Sequence, residues 1–272
     1  MNNDNWKTSL EGFFAQRGQA VSGHRLGLEE LAYVSGRDPR VWTPQVYDDM
    51  ILDILNRLNA DEGAKMLEVG CASGFLAQGL AVRVATYDGV DIAAPALVAA
   101  RQLNLTNAHF VHSDGAALPF EANSFDSSLC YDVFTNFPNF QIGGSMIEEM
   151  LRVTRPGGRI LIGSIPDAAL QEEYSRKVVQ VAKELQDKHG PLSSRYLNLS
   201  EAARNDTRSW LQRILRKPKV DTNAAIQCYY FEKLDFERLG EKLRVDCRIF
   251  DVHALNPYKG FRFNVVYTKP NR

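Results

Sequence analysis

Carboxylates placed beside small-residue turns carry most of the chemistry this sequence can support. The stretch Met66-Leu67-Glu68-Val69-Gly70-Cys71-Ala72-Ser73-Gly74-Phe75-Leu76 reads as a short apolar strand, a tight turn and a helix start, with Glu68 at the strand's end. Such a turn lets backbone N–H groups approach a ligand closely and suits a nucleotide-like cofactor, though it can also be a plain structural turn. Asp91 ends a second apolar run, Gly89-Val90-Asp91-Ile92. It lies about 20 residues past the turn, where a carboxylate accepts hydrogen bonds from ribose hydroxyls. The plainer role for Asp91 is to cap the helix that Pro95 opens. A dinucleotide fingerprint, G-x-G-x-x-G, fits poorly, because Ala72 stands at its second glycine and Phe75 at its third. Tyr131, Asp132 and Asn136 follow another apolar run, at the edge where open parallel sheets bind ligands. Asp132 is a candidate base or hydroxyl acceptor, with a turn or cofactor contact as the alternative. His24 is a second candidate catalytic residue, with a surface-loop role as the alternative. Tyr47, Tyr229 and Tyr230 are candidates to line an acceptor pocket or to pack.

Elements of alternating type must position these residues. Val46, Met50, Ile51, Ile54, Leu55 and Leu58 recur at helical spacing, with Thr43 as cap and Pro44 in the first turn. Strands are expected at 66–69, 89–92, 108–112, 127–131, 159–165, 245–252 and 261–268. Helices are expected at 75–81, 95–103, 145–154, 167–189 and 235–243, the last capped by Asp235. Strands alternating with helices predict a Rossmann-like, doubly wound α/β fold with a seven-stranded sheet, mainly parallel and closed by an antiparallel hairpin. The organisation expected is a helical N-terminal preface or lid over 1–45, a core over 46–166, a helical insertion over 167–225 and completion of the core over 226–272.

Four landmarks in order resemble the class I S-adenosylmethionine (SAM) methyltransferases, and among them the ubiquinone- and menaquinone-type superfamily. The turn is similar to E-x-G-x-G-x-G, with Ala72 in place of the middle glycine. Asp91 follows. Asp114 with Leu118-Pro119-Phe120 and Ser124-Phe125-Asp126 resembles the D-x-x-x-L-P-F…S-F-D signature. Pro156-Gly157-Gly158 precedes the fifth strand as in that family. The resemblance implies SAM as cofactor, Asp114 facing the adenine amine and the Gly115 N–H meeting a ring nitrogen. The cofactor set it implies is Glu68, Gly70, Ala72, Gly74, Asp91, Ile92, Asp114, Gly115 and Tyr131. It also implies that the insertion shapes the acceptor pocket.

Composition bounds the alternatives. The chain has 272 residues, 44% hydrophobic and 24% charged, with a formal net charge of −1. That balance gives no support to a general nucleic-acid or anionic-membrane binder. No apolar run reaches a membrane span, and no secretory leader is recognisable, so a cytoplasmic protein is expected. The dispersed cysteines, Cys71, Cys130, Cys228 and Cys247, suggest reduced thiols and no zinc site. Arg195, Arg204, Arg208, Arg213, Arg216, Lys217 and Lys219 form either a solvated face or a cap that recognises an anionic group. The reading is a methyltransferase acting on a small molecule. The first choice of acceptor is an oxygen on a sugar or glycosylated metabolite, suggested by the closing segment Tyr258-Lys259-Gly260-Phe261-Arg262-Phe263-Asn264-Val265. The rivals are carbon methylation of a quinone or aromatic ring and a non-catalytic SAM-binding or interaction module.

Overall fold

The computed structural model describes residues 5–21, 25–190 and 228–271. Their strands are β1 (Lys65–Val69), β2 (Thr86–Asp91), β3 (Ala108–His112), β4 (Phe125–Tyr131), β5 (Thr154–Pro166), β6 (Asp246–Asp251) and β7 (Arg262–Thr268). These form a seven-stranded sheet in the order β3-β2-β1-β4-β5-β7-β6. The first five strands are parallel, and β7 runs antiparallel between β5 and β6. Chain order reverses between β1 and β4, so a crevice opens beyond the carboxyl ends of those strands.

Strand alternation divides the core between the two faces of the sheet. Leu67, Cys130, Ile160, Ile162 and Val265 face one way. There they pack on α6 (Phe140–Val153) and α8 (Lys233–Leu243) through Met146, Ile147, Met150 and Phe236. Their neighbours Met66, Leu129, Tyr131, Leu161 and Val266 face the other way. They meet Met50, Ile51 and Ile54 of α3 (Pro44–Leu58) and Phe75 and Leu80 around α4 (Ala77–Leu80). The helical stripe on α3 is therefore core, and Thr43 Oγ1 accepts from the Val46 N–H at 3.4 Å as its cap. The remaining helices are α1 (Asn5–Ala20), α2 (Leu28–Val34), α5 (Ala94–Gln102) and α7 (Gln171–His189).

Several boundaries differ from expectation. Helix α6 starts at Phe140, because Asn139 caps it and Gly143-Gly144 lie inside it. A Cβ on Gly143 would stand 2.3 Å from Phe134 Cε1, so glycine here serves close packing rather than a break. Asp235 does not cap α8; it lies in the first turn, and Glu232 holds the cap position without a side-chain bond. The helix after the first turn is only Ala77–Leu80, followed by a 3-10 turn, Ala81–Arg83. At Arg155–Gly158 the chain bulges out of the ladder: Thr154 pairs with Phe125, and the next pairing is Arg159 with Ser127. The basic stretch from Arg195 to Lys219 lies outside the described residues.

Candidate active site

The loop after β1 folds back onto the end of β2. The Gly70 N–H donates to the Val90 carbonyl at 2.8 Å, and the Cys71 N–H to the same oxygen at 3.1 Å. Gly70 (φ 84°), Ala72 (φ 45°) and Gly74 (φ 76°) all take the left-handed conformation. Ala72 thus keeps a backbone that glycine adopts freely, at a cost of about 1–2 kcal/mol for an L-residue. Asp91 braces that position. Its Oδ2 accepts the Ala72 N–H at 2.8 Å and its Oδ1 the Ala93 N–H at 2.7 Å. Burial pushes the Asp91 carboxyl up, against those two N–H bonds. A carboxylate has about four lone-pair sites, so two remain for ligand hydroxyls.

A cavity of about 100 Å³ opens at this loop. Gly70, Ala72, Asp91, Ile92, Asp114, Gly115 and Tyr131 line it together with Asp132, so most of the expected cofactor set converges. Side-chain-free positions keep the cavity's walls close. A Cβ on Gly70 would meet Val133 Cγ2 at 2.3 Å, and one on Gly115 would meet Val69 Cγ1 at 2.7 Å. Helix α1 roofs it with Trp6, Leu10 and Phe14. Lys7 Nζ bonds Asp114 Oδ2 at 2.7 Å. Burial works to raise the Asp114 carboxyl, but Lys7 and the Ala116 N–H hold it below the usual range.

Two members of the expected set stand away from the cavity wall. Glu68, only 2% exposed, points to the opposite face of the sheet, where it accepts a hydrogen bond from the Tyr87 hydroxyl. Burial pushes its carboxyl up to about 7. Gly74 packs against α5, where a Cβ would meet Leu103 Cδ1 at 2.8 Å.

A second cavity of about 680 Å³ adjoins the first. Phe14, Ser35, Arg37, Asp132 and Asn136 line both. Asp132 sits on this boundary in a left-handed conformation (φ 62°), its N–H donated to the Gly163 carbonyl at 3.0 Å. Arg262 Nη1 donates to Asp132 Oδ1, and to Ser164 Oγ at 2.8 Å. Arg37 approaches the other carboxylate oxygen at 3.3 Å. Burial alone would raise the Asp132 carboxyl; Arg262 and Arg37, with the Ser164 contact, outweigh it and hold it below the usual range. Arg262 also donates to the Tyr174 hydroxyl from Nε and Nη2, at 2.9 and 2.6 Å, and lies over the Tyr258 ring. Two buried polar atoms near this boundary, Arg37 Nε and Tyr131 Oη, have no hydrogen-bond partner among the described residues.

The other expected residues divide. Asn136 and Tyr230 line the larger cavity, Tyr230 edge-on to Tyr174. Tyr47 does not stand at the mouth: it is core, with its hydroxyl donated to the Phe75 carbonyl at 2.6 Å. Tyr229 packs against the core on the other face and lines neither cavity. His24 lies outside the described residues. His112 bonds the Ile92 carbonyl at 2.8 Å and His253 pairs with Asp49 at 2.9 Å; neither lines a cavity, and each sits behind a lining residue, Ile92 and Asn256 respectively. Sequence reasoning missed Arg37, Ser164 and the site roles of Tyr174 and Arg262. Arg262 sits in the singled-out closing segment, but nothing in its spacing signals a reach across the sheet to Asp132.

Residues 67–162 match the family model described as a methyltransferase domain. The chain is 37% identical over 103 residues to a fatty-acid O-methyltransferase of Mycolicibacterium smegmatis, covering 37% of this chain and 36% of that protein. It is 31% identical over 116 residues to a demethylmenaquinone methyltransferase of Oceanobacillus iheyensis, covering 40% and 48% respectively. The matched stretch thus spans half or less of these curated relatives. The fold is similar to that of magnesium protoporphyrin IX methyltransferase from Synechocystis PCC 6803, solved with bound SAH, at a TM-score of 0.56 and 14% identity, covering 97% of this chain and 100% of that one. A sheet with β7 inserted antiparallel beside β5 and a β1 loop braced by the acid that ends β2 frame the matched stretch: residues 67–162 form a methyltransferase domain.

Proposed function

We propose that the chain binds SAM in the smaller cavity and transfers its methyl group to an oxygen of a small molecule held in the larger one. The observation that carries this reading is the junction of the two cavities at Ser35, Arg37, Asp132 and Asn136. The residues present fit the cofactor. Asp91 keeps lone pairs for ribose hydroxyls, Asp114 offers a carboxylate to an exocyclic amine, and Tyr131 Oη is a buried polar atom without a partner among the described residues. When bound, SAM supplies an electrophilic methyl on a sulfonium, so the reactive bond belongs to the cofactor. The chain's part is to orient the acceptor and exclude water, and orientation alone is worth up to roughly 7–11 kcal/mol. Helix α1 supports the second task, since Trp6, Leu10 and Phe14 cover the smaller cavity.

The lining of the larger cavity supports a flat, apolar acceptor body. Phe13, Phe14, Trp42, Tyr174, Tyr230 and Tyr258 come from separate parts of the chain to form it. A free sugar would leave many hydroxyls facing rings, so the sugar reading survives best as a glycosylated aromatic scaffold. The same lining favours the second reading, carbon methylation of a quinone or aromatic ring, and the names of the relatives include both oxygen and quinone acceptors. Asp132, paired to two arginines, is proposed as an orienting anchor rather than a base, because a useful base titrates near the working pH. The test is label transfer from methyl-labelled SAM to a panel of aromatic and acyl acceptors and of free sugars. Transfer to the apolar members is expected; transfer confined to free sugars contradicts the reading.

A further inference from the structure

Building on the methyl-transfer reading above, we infer that the acceptor is an apolar carboxylic acid, methylated on a carboxylate oxygen to give a methyl ester. Charge is concentrated where the two cavities meet. Among the described residues, the guanidinium groups of Arg37 and Arg262 line the larger cavity with the carboxylates of Asp38 and Asp132, while that of Arg17 is engaged by the Tyr33 carbonyl at 2.6 Å. Asp38 is already engaged by Arg40, whose Nη2 donates to its Oδ2 at 2.6 Å. The lining therefore carries a surplus of positive charge beside an aromatic wall, which suits an anion with an apolar body.

Arg37 is the group placed to receive that anion. It lines both cavities, and its one ion pair among the described residues, to Asp132, is 3.3 Å long. Its face rests on the Phe75 ring at 4.6 Å. Its Nε is buried without a partner among the described residues, and a buried donor left unpaired is destabilising. A ligand oxygen at the junction would relieve that cost, and a planar guanidinium matches a carboxylate through two parallel N–H bonds.

The chemistry agrees. An alcohol or phenol must lose a proton during transfer, and the one carboxylate on the junction is committed to Arg37 and Arg262. A carboxylic acid is already ionised at neutral pH. Its oxygen lone pair forms the new O–CH3 bond, the S–CH3 bond breaks with its electron pair staying on sulfur, and both formal charges are cancelled. No proton is taken up or released, and no co-reactant is needed. A cavity of about 680 Å³ has room for a polycyclic or acyl body beyond the carboxylate.

Matched pairs test this with the full-length protein: 2-naphthoic acid against 2-naphthol, and dodecanoic acid against 1-dodecanol. Calorimetry of SAH alone comes first; failure to bind SAH defeats the methyl-transfer reading itself. With SAH bound, each acid is expected to bind at least ten-fold more tightly than its alcohol. With methyl-labelled SAM, the product should release labelled methanol on mild alkaline hydrolysis, as an ester does and an ether does not. Arg37→Gln should raise the KM or Kd for the acids at least ten-fold, and Arg37→Lys should recover part of it. Acids that bind the SAH complex no better than their alcohols, or label that resists alkali, overturn the inference.

Discussion

Arg262 of β7 donates to the carboxylate of Asp132 at the end of β4, so a residue of the antiparallel strand is tied to the crevice opened by the parallel ones. The bond crosses β5, and Ser164 of that strand donates its backbone N–H to Asn264 of β7 at 2.8 Å while its hydroxyl accepts from Arg262. The closing hairpin therefore does more than cover an edge: it sets the charge at the boundary of the two cavities.

Removing that charge should be costly. Asp132→Asn keeps a residue that tolerates the left-handed backbone but leaves two guanidinium groups without their counter-ion. Breaking a fully buried pair costs about 3–5 kcal/mol, so this partly buried cluster should lose up to that amount. The lowered carboxyl also fixes a pH dependence. Its stabilisation is present above the ordinary aspartate range and is lost as pH falls through the lowered folded value. Urea unfolding of wild type and variant should differ most at neutral pH and converge in strong acid. A constant difference down to strong acid would contradict the pairing.

Glu68 carries the opposite sign. Its folded pKa of about 7 lies above the unfolded value of 4.5, so its contribution is full below pH 4.5 and is lost as pH rises to about 7. The span corresponds to roughly 3 kcal/mol as an upper figure. Glu68→Gln, neutral at every pH, should flatten this part of the stability curve and be more stable than wild type at pH 8. Equal slopes between pH 5 and pH 8 in the two proteins would remove Glu68 as the titrating group.

Lys7 and an adenine amine would compete for Asp114. The ion pair is half-exposed, and such pairs are worth about 0.2–1 kcal/mol, so Lys7→Met should tighten SAH binding by up to about five-fold. Asp114→Asn should weaken it by about 1–3 kcal/mol. Calorimetry checks both. Looser binding in Lys7→Met would mean that the lysine secures α1 over the cavity instead.

The fold was legible because its signals are local. The turn from Glu68 to Gly74, Asp91 at the end of β2, and the strands at 108–112 and 127–131 follow from runs of a few residues. The start of α6 was not legible, because Asn139 caps the helix at Phe140 and Gly143 lies inside it, where Phe134 fills the space that a side chain would need. The residues that line the smaller cavity were readable from the turn, the strand ends and the family signature. The acceptor side was not, since Arg37, Ser164, Tyr174 and Arg262 meet through tertiary packing across separations of about a hundred residues. Tyr47 and Tyr229 show the same limit, because an aromatic at helical spacing or beside a strand gives no sign of which face it will take.

Titration calorimetry with SAH decides whether the cavity at the β1 loop is a SAM site. Wild type should bind in the micromolar range. Gly70→Arg, whose side chain would enter the cavity where even a Cβ lies 2.3 Å from Val133 Cγ2, should give no binding heat while retaining its far-ultraviolet circular dichroism. Asp91→Ala, without the acceptor for the Ala72 and Ala93 N–H groups and for ribose hydroxyls, should bind at least ten-fold more weakly. No binding by folded wild type, or undiminished binding by folded Gly70→Arg, would contradict the account.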